Sequence, residues 1–262
     1  MEEALASLSA QEMGDELEVI VQDGTTEYTE HTESNESLEP GVQSLGLEGL
    51  RYFREEDQGQ SDALNRGFAK AKGEWLFWLN ADDVLLPGVL RSLEFKVQSL
   101  QFKDAEWIVG DTVYMDELGI VQEVRRDARW RCWFAEKMSV WTGGPSAFFR
   151  RGVWERIGGL DTNLKYVMDI DLWTRWARAG IRFESLKGYV WGFRMHGGSK
   201  TMGGQNLIEH REERDRVSIK HGISHERFWR NMTRLSSILD GTWISRKVDS
   251  KALRGRRWED IT

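Results

Sequence analysis

The sequence predicts an α/β fold, a mostly parallel sheet flanked by helices, and two observations predict it. Short apolar segments such as Trp75–Leu79 and Trp107–Val109 have the length and composition of strands covered on both faces, and helix-patterned segments separate them. Acids and amides collect where those strands stop, at Asp23-Gly24, Asn80-Ala81-Asp82-Asp83 and Gly110-Asp111. Ligands of open α/β sheets bind beyond the carboxyl ends of the strands, so these groups mark one rim as a cation or sugar site.

The elements follow in chain order. Ala4, Leu5 and Leu8 lie at helical spacing, and Leu17–Val21 reads as a strand running into Asp23-Gly24. Thr25 to about Gly49, polar and broken by Pro40-Gly41, reads as a long loop with one weak helix, and Leu50–Phe53 as a short strand. In the clearest unit Ser61 serves as N-cap, Ala63, Leu64, Phe68 and Ala71 line one helical face, and Gly73 closes it before the strand at Trp75. Pro87 opens the next helix, which turns Val89, Leu90, Leu93 and Val97 inward. In the second half, Arg151–Ile157 is a short helix stopped by Gly158-Gly159. Asp171–Ala179 is another, with Leu172, Trp173 and Trp176 inward and Gly180 as its end. Asp169 and Asp171 therefore sit at a helix N-terminus, where the dipole favours their ionised forms. Val190–Met195 reads as a strand feeding His196-Gly197-Gly198-Ser199, and Gln205–His221 as a charged surface helix. Residues 1–201 form the main domain on this reading, and 202–262 a helical extension with a basic tail.

Composition narrows the function. With 40% hydrophobic and 30% charged residues the chain reads as an ordinary soluble globular protein, and its apolar runs are too short to span a bilayer. No secretory signal opens it, and Cys132, the single cysteine, excludes an internal disulfide; both point to the cytoplasm. A net charge of −7 argues against nucleic acid as a partner. Arg246, Lys247, Lys251, Arg254, Arg256 and Arg257 nevertheless gather near the end, a candidate contact for a membrane surface or a protein partner. A solvated, partly mobile terminus is the plainer reading of that tail and the one composition favours.

Asn80 and Asp82 are oxygen donors with one residue between them, so in an extended backbone they share a face and can point at one ion. The same four residues also suit a solvated turn. Gly59-Gln60-Ser61-Asp62-Ala63-Leu64-Asn65, then Gly73-Glu74-Trp75 and Trp78-Leu79-Asn80-Ala81-Asp82-Asp83, resemble family 2 glycosyltransferases. So do Gly144-Pro145-Ser146-Ala147-Phe148-Phe149-Arg150, Gly158-Gly159-Leu160-Asp161, Met168-Asp169-Ile170-Asp171-Leu172-Trp173 and Arg194-Met195-His196-Gly197-Gly198-Ser199. Each motif is soft; their shared order from Leu17 to Thr201 is specific.

The resemblance implies a Rossmann-like GT-A fold and transfer from a nucleotide-sugar, usually with inversion, in polysaccharide or glycan biosynthesis. UDP- or dTDP-sugars are the implied donors, and a glycan or lipid-linked molecule the acceptor. Asp82 matches the metal-binding carboxylate of the family's Asp-X-Asp motif, and Asn80 replaces its first Asp, which removes a charge. Asp23 resembles the acid that contacts the base, with Gly59, Gln60, Asp62 and Ala81 at donor-contact positions. Asp169 resembles the general base; Asp171 is the alternative, or caps its helix. His196 matches a position that touches the diphosphate or completes the shell of Mn2+ or Mg2+, imidazole tilting the choice toward manganese. A histidine hydrogen-bonded within its loop is the competing reading. Among 13 tryptophans, Trp141 is a candidate sugar platform, whereas Trp75, Trp107, Trp173 and Trp176 belong to the core. The segment Asp111–Trp141 is the expected determinant of acceptor choice.

One departure stands out. Family members open with a strand at the centre of the sheet, and this chain starts at the helix that follows it. The expected result is a truncated fold with an open apolar slot beside the strand ending at Asp23: the chain is a fragment, another segment fills the slot, or a second chain supplies the strand, which also makes self-association an expectation. A non-catalytic relic that binds nucleotide, sugar or a protein is the competing function.

Overall fold

The computed structural model describes residues 1–24, 46–47, 49–99, 102–126, 137, 140, 142–181, 183–199, 207–223, 225–239 and 241–261. The helices among them are α1 (Glu2–Ser9), α2 (Gln60–Lys70), α3 (Val89–Gln98), α4 (Arg151–Ile157), α5 (Met168–Arg178), α6 (Leu207–Lys220), α7 (Glu226–Leu239) and α8 (Thr242–Leu253). The strands are β1 (Val19–Asp23), β2 (Leu50–Arg54), β3 (Trp75–Leu76), β4 (Val84–Leu85), β5 (Trp107–Met115), β6 (Val121–Arg125), β7 (Ala147–Arg150) and β8 (Phe183–Arg194).

These strands make two sheets. β1 and β2 pair in parallel as a two-stranded sheet, and the other six run β3-β7-β5-β8-β4 with β6 added to β5. Among the described residues nothing pairs with the second edge of β1, nor joins it to the extended segment from Trp75 to Asn80.

The α/β layering is as the sequence predicts, but strand direction is not. Only β1·β2 and β5·β8 are parallel among the described pairs; β3·β7, β4·β8, β5·β6 and β5·β7 are antiparallel. Apolar runs report burial on both faces and carry no direction. A tight turn after β5, held by Leu118 and Ile120 N–H groups on the Asp116 carboxylate at 3.0 Å each, folds β6 straight back.

Several boundaries also move. Helix α2 starts at Gln60 with Gly59 as N-cap, so Ser61 lies inside the first turn; α2 ends at Ala71 rather than Gly73, and α3 begins at Val89, two residues after Pro87. β5 runs straight through Gly110-Asp111, which takes the buried Asp111 away from any strand end. β8 is twice the predicted length because Gly188 (φ 159°) keeps the chain extended through its irregular register with β5. The basic tail is not loose: α8 packs on β6, and Arg246 Nε donates to Val124 O at 3.1 Å. The loop expected at Thr25–Gly49 lies largely outside the described residues, as do the candidate sugar platform Trp141 and much of the segment Asp111–Trp141.

Two cores support the sheet. The first is aliphatic, gathering Leu5 and Leu8 of α1 with Val84, Leu85, Leu90, Ile108 and Val113. Gln11 locks α1 there, donating to Leu86 O (2.9 Å) and accepting from Leu90 N (3.1 Å). The second is aromatic. Trp173 stacks on Trp78 (5.6 Å between centroids, 15°) and on Trp107 (5.0 Å, 21°), with Trp176, Phe149 and Phe68 edge-on around them and Trp154 stacked on Phe149 (5.7 Å, 16°). Trp107, Trp173 and Trp176 are core as expected, while Trp75 is only half-buried beneath the Arg150 guanidinium.

Candidate active site

The acidic loop follows β3, which ends at Leu76, and turns at Ala81-Asp82. That turn breaks the alternation on which Asn80 and Asp82 were expected to share a face. Asn80 faces inward, its Oδ1 accepting from Gln60 Nε2 (2.9 Å) and its Nδ2 donating to Asp83 Oδ2 (2.7 Å). Asp83 is buried and accepts the Arg194 N–H (2.9 Å); burial pushes its carboxyl up to about 7, against the pull of those two donors. Asp82 faces out and meets His196, Oδ2 to Nε2, at 2.8 Å. The Gly198 N–H donates to His196 Nδ1 (3.2 Å), which assigns the ring proton to Nε2.

The remaining donor-side residues are held less tightly. Asp23, at the end of β1, accepts the Tyr52 hydroxyl and lies 3.5 Å from Arg54 Nη2. Gly59 (φ 111°) occupies a conformation open to glycine and donates to Asp57 Oδ1 at 2.8 Å. Asp62 accepts from Gln58 N (3.1 Å) and pairs with Arg66 (2.8 Å), and both contacts hold its carboxyl below the usual range.

The other wall is the first turn of α5. Asp169 is half-buried, and its Oδ1 accepts the Ile170 N–H at 2.8 Å. Burial among protein atoms pushes its carboxyl up to about 6, although the N–H groups of Ile170 and Gly144 and the charge of Arg125 oppose the rise. Gly144 belongs to the Gly-Pro-Ser turn, so that motif reaches the Asp169 carboxylate directly. Asp171, two residues on, points the opposite way. It is wholly buried and bound by Arg175 Nε (2.9 Å), Lys220 Nζ (3.0 Å) and His221 Nε2 (2.8 Å). Burial raises its pKa, but the hydrogen bonds from His221, Lys220 and Arg175 outweigh it and leave the carboxyl low.

Contacts at the start of α2 join the two walls. Gln60 reaches Asn80, and the next residue, Ser61, donates to Leu164 O (3.0 Å) and contacts Met168 Sδ (2.9 Å), one residue before Asp169. The structure thus joins Gln60 to Asn80 and Ser61 to Met168, the neighbour of Asp169, pairs Asp82 with His196, and turns Asp171 away.

Two supporting residues escaped the sequence reading. Glu213 of α6 is buried and accepts the N–H groups of Lys165 (2.9 Å), Tyr166 (2.6 Å) and Val167 (3.0 Å), capping α5 from a distant helix. Arg194 spreads its guanidinium over Asp82 O (2.9 Å), Glu117 O (2.8 Å) and Glu3 Oε2 (2.6 Å), and Glu3 in turn accepts Trp258 Nε1 (3.0 Å). No local pattern marks Glu213; Arg194 stood in a quoted motif without a role.

A cation would find two protein ligands here, Asp82 and His196. Among the described residues no group of three or more His, Cys, Asp or Glu side chains stands ready. A carboxylate with one imidazole fits an ion that takes the rest of its shell from phosphate and water.

Comparison with known proteins agrees with this arrangement. The family model described as Glycosyl transferase family 2 matches residues 1–143. An uncharacterized glycosyltransferase of Rickettsia typhi is 27% identical over 186 residues, 68% of this chain and 54% of its own length, so the chain spans about half of that relative. S. aureus TarS 1-349, solved in complex with UDP-GlcNAc, superposes with a TM-score of 0.60 at 14% identity, over 83% of this chain and 61% of its own. The mannosyltransferase PcManGT from Pyrobaculum calidifontis, in complex with GDP-Man and Mn2+, gives 0.54 at 19% identity, over 84% and 60%. At such identities these likenesses show the fold, GT-A.

Proposed function

The chain belongs to glycosyl transferase family 2, and on that premise we propose that it moves a sugar from a nucleotide diphosphate donor to an acceptor hydroxyl. The observation that carries the reading is Asp169, half-buried beside Gly144 with its carboxyl raised to about 6. Such a carboxylate is ionised at neutral pH yet more basic than an exposed aspartate, which suits a general base. Asp169 takes the acceptor proton as the new bond to the anomeric carbon forms and the bond to the diphosphate breaks; displacement from the opposite face inverts that carbon.

Asp82 and His196 would hold Mn2+ or Mg2+, which would supply positive charge where the leaving diphosphate gathers negative charge. For this His196 must offer the Nε2 lone pair, which moves its proton to Nδ1 and breaks the bond from Gly198 N–H. Asp23, with Tyr52 and Arg54, faces the base; Gly59, Gln60, Asp62, Asn80 and Ala81 line the donor's path. Asp171 anchors α5 and takes no part in proton transfer.

The donor is a UDP- or dTDP-sugar and the acceptor a glycan or lipid-linked intermediate of polysaccharide or glycan biosynthesis in the cytoplasm. TarS with UDP-GlcNAc supports the uridine donor, and PcManGT with Mn2+ supports the metal. No helix among the described residues is long and apolar enough to cross a membrane. The competing relic binds donor without turnover. A single pair of assays separates them: the wild type turns over a UDP-sugar and Asp169→Asn binds it without turnover. Binding alone in both proteins establishes the relic.

A further inference from the structure

The two C-terminal helices expose a set of side chains that a water-facing surface does not explain. On α7, Phe228, Leu235 and Leu239 are 56%, 49% and 78% exposed and fall at i, i+7 and i+11, one face of the helix. On α8, Trp243, Ile244 and Val248 are 48%, 56% and 60% exposed. Six large apolar side chains on two neighbouring helices exceed the scattered exposure of an ordinary surface.

Charge says what covers them. Residues 225–257 carry nine Lys and Arg against three Asp and Glu, in a chain whose net charge is −7. The exposed Arg227, Arg234, Lys247 and Lys251 make no ion pair among the described residues, and they alternate in sequence with the apolar positions. Lys247 Nζ lies over the Trp243 ring, 5.7 Å from its centroid. Apolar aromatic and aliphatic groups set among unpaired cations match a bilayer surface, where the rings enter the headgroup layer and the cations meet lipid phosphates. At 14 and 12 residues, α7 and α8 are too short to cross a bilayer and long enough to lie on one.

We propose that α7 and α8 form a docking surface for an anionic membrane. Helix α8 is fixed to the main domain by Asp249, which binds Arg126 and accepts the Tyr189 hydroxyl at 2.5 Å. The helices therefore carry the domain with them when they dock.

Flotation of the whole chain with phosphatidylcholine vesicles, with and without phosphatidylglycerol, tests this. The expected result is at least about tenfold more protein floating with the anionic vesicles at low salt, with most of the gain lost at ~0.5 M salt. Two surface variants, Lys247→Glu with Lys251→Glu and Leu235→Ser with Leu239→Ser, should each cut that binding about fivefold or more while the near-ultraviolet spectrum stays unchanged. Equal flotation with both vesicle types, or none, overturns the proposal. So does a stable dimer in sedimentation that the Leu235→Ser, Leu239→Ser variant dissolves, since a second copy would then cover the face.

Discussion

Helix α5 carries two carboxylates two residues apart and treats them in opposite ways. On one side, Asp169 has backbone N–H groups for company and a pKa raised to about 6; on the other, Asp171 is bound by Arg175, Lys220 and the His221 ring, and its pKa is lowered. The motif Met-Asp-Ile-Asp presents them as equals. What separates them is supplied from elsewhere: Gly144 by the turn before β7, Lys220 and His221 by the end of α6. A carboxylate's role is set by what the fold delivers to it, not by its place in a motif.

The sharpest way to break this comparison is to neutralise each acid in turn. Asp169→Asn should lower turnover by about 10^2–10^4-fold while donor binding holds. Because the folded pKa of Asp169 is raised, its favourable contribution is complete below the unfolded value near 4 and is lost as pH rises through about 6. The Asn variant escapes that loss and should be about 1–3 kcal/mol more stable than wild type at pH 7.5 in urea titrations, with no gain at pH 4. A wild type equally stable at both pH values would contradict the raised pKa. Turnover in the wild type should climb with pH through about 6, read from the acidic limb of kcat.

Asp171→Ala should do the reverse. Removing one partner from a buried, multiply bonded pair costs about 3–5 kcal/mol, and the molecules that remain folded should turn over normally. The lowered pKa makes its contribution present above the unfolded value and lost only as pH falls through the folded one, so the cost should fade under acid. A full loss of turnover without loss of stability would move the base to Asp171.

Glu213→Gln tests whether the rear anchor extends to the helix cap. Three backbone N–H groups lose their anion, and about 1–3 kcal/mol of stability should go with it in thermal unfolding. The smallest effect belongs to Arg66→Ala. Arg66 and Asp62 are spaced i, i+4 like Arg175 and Asp171, but Arg66 is 37% exposed while Asp171 is wholly buried. The loss should be no more than about 0.5–1 kcal/mol, and a larger one would show that spacing rather than burial governs these pairs.

The parts of the molecule legible in its sequence are those whose partners are close along the chain. Gly59 to Asn65 reads as the start of α2, Trp173 and Trp176 read as core, and Asn80–Asp83 reads as the turn that ends the apolar run from Trp75. Strand direction was not legible, because an apolar run looks alike whether its neighbour runs parallel or antiparallel. Nor was the fate of Asp111, since only its pairing with β8 shows that the strand continues past Gly110. Arg194 and Glu213 were hidden for one reason: each acts on residues that lie at least 46 positions away. The Asp82–His196 contact, across 114 positions, was reached through family resemblance and not through spacing.

The stack of Trp107, Trp173 and Trp78 has an optical consequence. Three indoles, adjacent pairs within 21° of parallel and about 5–6 Å apart, couple their transitions, so the near-ultraviolet circular dichroism of this protein should carry a strong paired band that isolated tryptophans lack. Trp173 sits on α5 and Trp78 two residues before Asn80, so the band registers the spacing between the helix that carries Asp169 and the loop that carries Asn80 and Asp82. The protein carries its own gauge of cleft width, readable without a label.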